Sequence, residues 1–261
     1  MITTSPAVSY TLNPSNPANM PPNAETSETQ TVVRNKRGVA NNLKLWPQNK
    51  TITISFMEVS EKDKALFKKA IESFAPYVNL KFKFVDGNDG EIRIATEKNA
   101  GDWSESGTAA LYGPPDEETL NVDTHGFDDK TIKRKILHEF GHALGLEHEH
   151  QHPERPFSFN APDVYRTYKA GGASTSFIAS NILALLNPAG LKTSDYDQKS
   201  VMHYPFFASS TSNNVRIPAN HELSQVDKDF LTSLYPPARQ VQNKRPSASG
   251  LTALRIFSKR F

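Results

Sequence analysis

A chain of 261 residues with 30 Lys and Arg against 28 Asp and Glu is close to neutral, which excludes nucleic-acid binding as its main business. No stretch approaches the roughly 18 apolar residues of a membrane span. There are no cysteines, so neither a disulfide framework nor a thiolate metal site is available.

Residues 1–37 are rich in Pro, Asn, Ser and Thr and lack hydrophobic periodicity. They are expected to be a disordered N-terminal extension or a pro-segment. The start Met1-Ile2-Thr3-Thr4-Ser5-Pro6 has neither the basic residues nor the apolar run of a secretory signal. A cytosolic role and a signal missing from this sequence therefore both stay open. Lys36-Arg37 before Gly38 reads equally well as a processing site or as a basic pair in a linker.

Residues 38–237 carry the pattern of a folded domain. Thr51–Phe56 places Ile52, Ile54 and Phe56 on one face, a strand. Ser60 with Asp63 reads as a helix cap, followed by Leu66, Phe67, Ala70, Ile71 and Phe74 at helical spacing, with Pro76 marking the end. Leu80, Phe82 and Phe84 alternate with lysines, and Glu91–Ala95 carries Ile92 and Ile94 inward, giving two more strands. Short strands are predicted at Thr108–Tyr112 and Thr119–Val122, one of them the edge of the sheet.

Asp128 and Asp129 open the next helix, whose apolar stripe is Ile132, Ile136, Phe140 and Ala143/Leu144. Helices are predicted from Pro162 to Ala170, from Phe177 to Leu186 and from Ser224 to Leu234, the last with Ser224 as cap and Asp227 at the third position. Pro236-Pro237 stops it. Residues 238–261 hold six Lys and Arg and no acid, and are expected to be a flexible basic tail or a partner- or membrane-surface segment.

One stretch carries the chemistry. His138-Glu139-Phe140-Gly141-His142-Ala143-Leu144-Gly145-Leu146-Glu147-His148 reads H-E-x-x-H-x-x-G-x-x-H. His138 and His142 are four apart and share one helix face, where they can share a metal. Zinc hydrolysis needs three protein ligands and one open position. Were the helix to continue, His148 would lie about 280° around from His138. The chain must therefore turn back, and Gly145 permits this because glycine takes the left-handed conformation that ends helices. Glu139 beside two ligands is placed to act as base on a metal-bound water.

This stretch resembles the metzincin zinc signature, and the glutamate in His148-Glu149-His150 is similar to the astacin family in particular. Ser200-Val201-Met202-His203-Tyr204 resembles the family's Met-turn, and Leu45-Trp46 its early Leu-Trp pair. The resemblance implies an α+β, two-lobed zinc protease domain, with a twisted, mostly parallel sheet above the cleft and an irregular lower lobe. It implies a zinc endopeptidase with His138, His142 and His148 as ligands of one Zn2+ ion and with Glu139 and Tyr204 as catalytic groups, Tyr204 first reaching the metal and then the oxyanion. It implies peptide or protein substrates, laid along the sheet edge, for what is expected to be a monomer. It also implies secretion.

The chain departs from the family in two places. Family members typically carry two disulfides, and their pro-segments block the zinc with an aspartate, yet residues 1–37 contain no Asp. Glu149 reads either as a contact for the buried N-terminus of a processed enzyme, by resemblance, or as a surface carboxylate. His150 and His152 read as supporting or solvated imidazoles rather than ligands. The competing class is a zinc-dependent module that only grips peptides; Glu139 together with all three histidines argues against it.

Overall fold

Short alternating apolar runs become strands in this chain, and longer periodic runs become helices. The computed structural model describes residues 38–193 and 195–237; the readings of residues 1–37 and 238–261 fall outside that range. The elements are β1 (Val39–Asn41), β2 (Thr51–Phe56), α1 (Glu61–Glu72), β3 (Lys81–Phe84), β4 (Ile92–Ala95), β5 (Trp103–Ser104), β6 (Leu120–Asn121), α2 (Asp129–Ala143), α3 (Ala161–Ala170), α4 (Thr175–Phe177), β7 (Leu191–Thr193) and α5 (Gln225–Leu234).

Strands β2 to β6 form one sheet in the order β3-β2-β4-β6-β5. β2 runs parallel to β3 and β4, β4 runs parallel to β6, and only the edge strand β5 is antiparallel. Ile54 pairs with Phe84 on one side and Ile92 on the other. Strands buried on both faces read as near-continuous apolar runs, and all four residues of β4, Arg93 included, are buried. The Arg93 guanidinium is satisfied by the carbonyls of Gly90, Pro114 and Glu117.

Helices α1 and α2 pack together beneath this sheet. Phe140 of α2 meets Phe74 and Phe82 edge-on, each with ring centroids 5.3 Å apart, the geometry that aromatic quadrupoles favour. Helices α1, α2 and α5 begin on the caps expected of them. Ser60 accepts from Asp63 N, Asp128 from Thr131 N, and Ser224 and Asp227 form a full capping box. A second, smaller core of Val164, Tyr168, Ile178, Ile182, Phe206 and Ile217 builds the lower lobe.

Three local expectations are corrected. Thr108–Tyr112 lies in a 3-10 helix, Gly107–Tyr112, and not in a strand. Its Ala109-Ala110 pair has little strand preference, and Gly107 starts the turn at φ +51° against the Lys44 carbonyl. The helix expected over Phe177–Leu186 is the single turn α4 followed by a π-helix, Ile178–Leu183. The edge strand is β5 at Trp103–Ser104, and neither Thr108–Tyr112 nor Thr119–Val122. The two-stranded sheet of β1 with β7 has no counterpart in the sequence reading, because three-residue strands show no periodicity.

Candidate metal centre

The C-terminus of α2 decides where the third histidine goes. Gly145 adopts φ +88°; Leu146 N donates to Gly141 O at 3.0 Å and Gly145 N to His142 O at 2.7 Å, the paired bonds that close a helix through a left-handed glycine. The last carbonyls of the helix find donors from far along the chain. Trp46 Nε1 donates to Ala143 O and Tyr235 Oη to Leu144 O, each at 2.7 Å. The chain then reverses and brings His148 back to the face of His138 and His142.

One ligand atom from each of these three histidines lies within 4.8 Å of the others. His142 Nε2 is 3.1 Å from His148 Nε2, close to the roughly 3.3 Å that two nitrogens show on one tetrahedral zinc. Two backbone carbonyls set the rings. His138 Nδ1 donates to Val201 O at 2.9 Å and His142 Nδ1 to Leu146 O at 2.8 Å. Each Nδ1 therefore carries the proton, and each Nε2 presents a lone pair to the centre of the cluster.

Burial, before any other cause, lowers the pKa of all three: His142 to about 4, His138 and His148 well below the usual imidazole range. Neutral imidazole is the form that binds metal. His138 Nε2 is fully buried with no hydrogen-bond partner in the chain, an orphan that a shared cation would satisfy. The donor set, its protonation and its spacing fit zinc.

Glu139 lies beside this cluster, 2 % exposed, and its Oε2 has no hydrogen-bond partner. Burial pushes its carboxyl well above the usual range, reinforced by Asp102 and opposed by Arg134 and Lys135. Tyr204 completes the constellation, with its ring centroid 5.4 Å from that of His138 and 4.5 Å from that of His148. The three histidines and Tyr204 therefore meet in one place, and Glu139 follows His138 directly on α2.

The neighbours of the cluster are more buried than the sequence implied. Glu149 is no surface carboxylate; it is 1 % exposed and accepts from Asp197 N at 2.6 Å. His150 and His152 are likewise fully buried, which removes the solvated reading for both. The turn bearing Met202 is pinned by a residue read only as a helix cap. Asp227 accepts from Ser200 Oγ at 2.6 Å and from Val201 N at 2.9 Å while also holding Ser224 N. Helix capping is local and legible; a second use of the same carboxylate 26 residues away leaves no local trace.

A family model described as Astacin, a peptidase family, matches residues 38–226. Among solved structures the chain is similar to myroilysin, with 31% identity and a TM-score of 0.74 over 77% of this chain and 99% of that one. A crystal structure of myroilysin gives 31% identity and a TM-score of 0.56 over 74% of this chain and 86% of that one. High choriolytic enzyme 1, a hatching enzyme zinc-protease from the medaka fish Oryzias latipes, shares the fold at 20% identity and a TM-score of 0.53, over 74% of this chain and 95% of that one. No curated protein matches.

Proposed function

Because the chain belongs to the astacin family of zinc metalloendopeptidases, we propose that residues 38–237 are its catalytic domain, that His138, His142 and His148 hold one zinc ion, and that Glu139 and Tyr204 do the acid–base and oxyanion work of peptide hydrolysis. When bound, zinc supplies Lewis acidity, worth several kcal/mol of charge stabilisation in the transition state.

The carboxylate of Glu139 takes a proton from the attacking water and returns it to the leaving amine, so the base ends each cycle as it began. The Tyr204 hydroxyl donates to the oxygen that gains charge as the carbonyl becomes tetrahedral. The outer edge of β5 presents backbone groups to which an extended peptide can add as one more strand. That mode of binding reads the main chain of any sequence and fits an endopeptidase acting as a monomer.

The observation that carries this reading is the convergence of three imidazole nitrogens, two of them on the helix that also carries the buried Glu139, whose Oε2 has no partner. The test is a peptide-cleavage assay on purified protein, with and without a zinc chelator, beside Glu139→Gln. The parent should cleave only without chelator. The variant should keep one zinc per chain and lose about 10²–10⁴ in turnover, the usual worth of a positioned acid–base group. Activity within tenfold of the parent would move the base elsewhere, and a zinc-loaded parent that cleaves nothing would make the domain a binding module.

A further inference from the structure

His150 follows two residues after His148 and is fully buried. Its imidazole lies almost flat on the phenol of Tyr204, with centroids 4.5 Å apart and planes 24° from parallel. Its Nε2 is 2.9 Å from the carbonyl oxygen of Asn181. A carbonyl only accepts, so Nε2 carries the proton and Nδ1 is bare; that Nδ1 is buried without a partner. A residue serving only to fill space would be a phenylalanine or leucine, which strands no polar atom. What the histidine adds is the bond to Asn181, and that bond fixes the plane of the ring.

The anchor is itself held from the same short segment. Asn181 belongs to the π-helix Ile178–Leu183. Gln151 Nε2 donates to Ser180 O at 3.0 Å and Ala184 O at 3.3 Å, and Arg155 donates to Leu183 O at 3.0 Å and to the His150 carbonyl at 2.7 Å. His150, Gln151 and Arg155 thus tie down the lower-lobe carbonyls of Ser180, Asn181, Leu183 and Ala184. Tyr204 sits between this frame and the metal cluster, with His150 on its face and His148 at 62° to it.

We infer that His150 is a positioning residue for Tyr204, a fixed plate against which the phenol ring lies so that its hydroxyl is presented to the reacting carbonyl. This rests on the reading of Tyr204 as the oxyanion donor.

A double-mutant cycle tests it, with zinc content and melting temperature measured on every preparation. His150→Leu removes both ring and anchor. It should keep zinc, leave KM within about threefold and lower kcat by about tenfold or more, since misplacement of a reacting group by about 1 Å can cost 10²-fold. In the Tyr204→Phe background, where no hydroxyl remains to be placed, the same change should cost less than about twofold in kcat. His150→Phe, which keeps a flat ring, should recover part of the loss. NMR of tyrosine-labelled protein should show faster ring flips of Tyr204 in His150→Leu than in the parent.

An equal kcat loss in both backgrounds overturns the inference while leaving Tyr204 its role. An unchanged kcat in Tyr204→Phe removes the role itself, and the inference with it. Should His150→Leu fail to fold, His150→Phe is compared with His150→Gln, which can keep the Asn181 bond without a ring. The inference requires Phe to retain more kcat than Gln, and the reverse order overturns it.

Discussion

Met202 and Gly141 touch across the lobes so closely that a methyl group on Gly141 would overlap Met202 Sδ. The glycine inside the histidine motif is therefore the footprint of the Met-turn on the floor of α2. Gly141→Ala would normally favour a helix. Here the overpacking should win and cost about 1–3 kcal/mol. Thermal melts should show the loss, and Gly141→Ala combined with Met202→Ala should recover part of it, because the smaller partner makes room.

His142→Ala should release the zinc, as measured by metal analysis after dialysis; full occupancy would remove His142 from the ligand set. In the parent, chelator should lower the melting temperature, because an ion that binds only the folded chain contributes about 4 kcal/mol at a thousandfold excess over its Kd. Reducing agent should change nothing, since the chain has no cysteine.

Tyr204→Phe keeps the ring on His150 and removes the hydroxyl. If that hydroxyl meets the oxyanion, kcat should fall by about 10²–10³ with KM little changed and zinc retained. A tyrosine that serves only packing would give a lower melting temperature and a near-parent kcat.

His203 makes the acid limb of stability measurable. Its Nδ1 donates to the Tyr204 carbonyl at 2.7 Å, and its Nε2 accepts from Tyr196 at 2.8 Å. Burial pushes its pKa from 6.5 to about 4. Below pH 6.5 the unfolded chain binds a proton that the folded chain refuses. The stability His203 contributes is thus present above that pH and lost as the pH falls through about 4. Its share should be about 2 kcal/mol between pH 7 and pH 5. Urea unfolding at both values should show a shallower fall in His203→Gln than in the parent, whatever the offset at pH 7.

What can be read from the sequence is what short-range rules encode. The cap at Asp128, the stripe of α2 and the forced turn at Gly145 are local, so the histidine cluster is legible in the sequence alone. Tyr204 comes from a motif resemblance, because nothing local says that a turn more than fifty residues after His148 lies against it. Strand β1 is invisible because its partners, Leu146 and β7, lie far along the chain. The burial of His150 is invisible for the same reason: it depends on a carbonyl 31 residues away. The strand reading of Thr108–Tyr112 fails because Ala109 and Ala110 have little preference for a strand.

Tyr235 accepts from Trp46 N and donates to Leu144 O, contacts that span 189 and 91 residues. During synthesis the turn that aims His148 is closed early by Gly145, Leu146 and Trp46, but its bond from Tyr235 forms only once almost the last residue of the domain has left the ribosome. Contacts of this separation close slowly. Until they close, the core that α2 shares lacks Phe230, Leu231 and Leu234 of α5, and an unfinished core is the condition in which nascent chains aggregate. The domain should thus acquire its metal site in one late step after synthesis, and shortening the chain to end before Tyr235 should yield insoluble protein rather than a weaker enzyme.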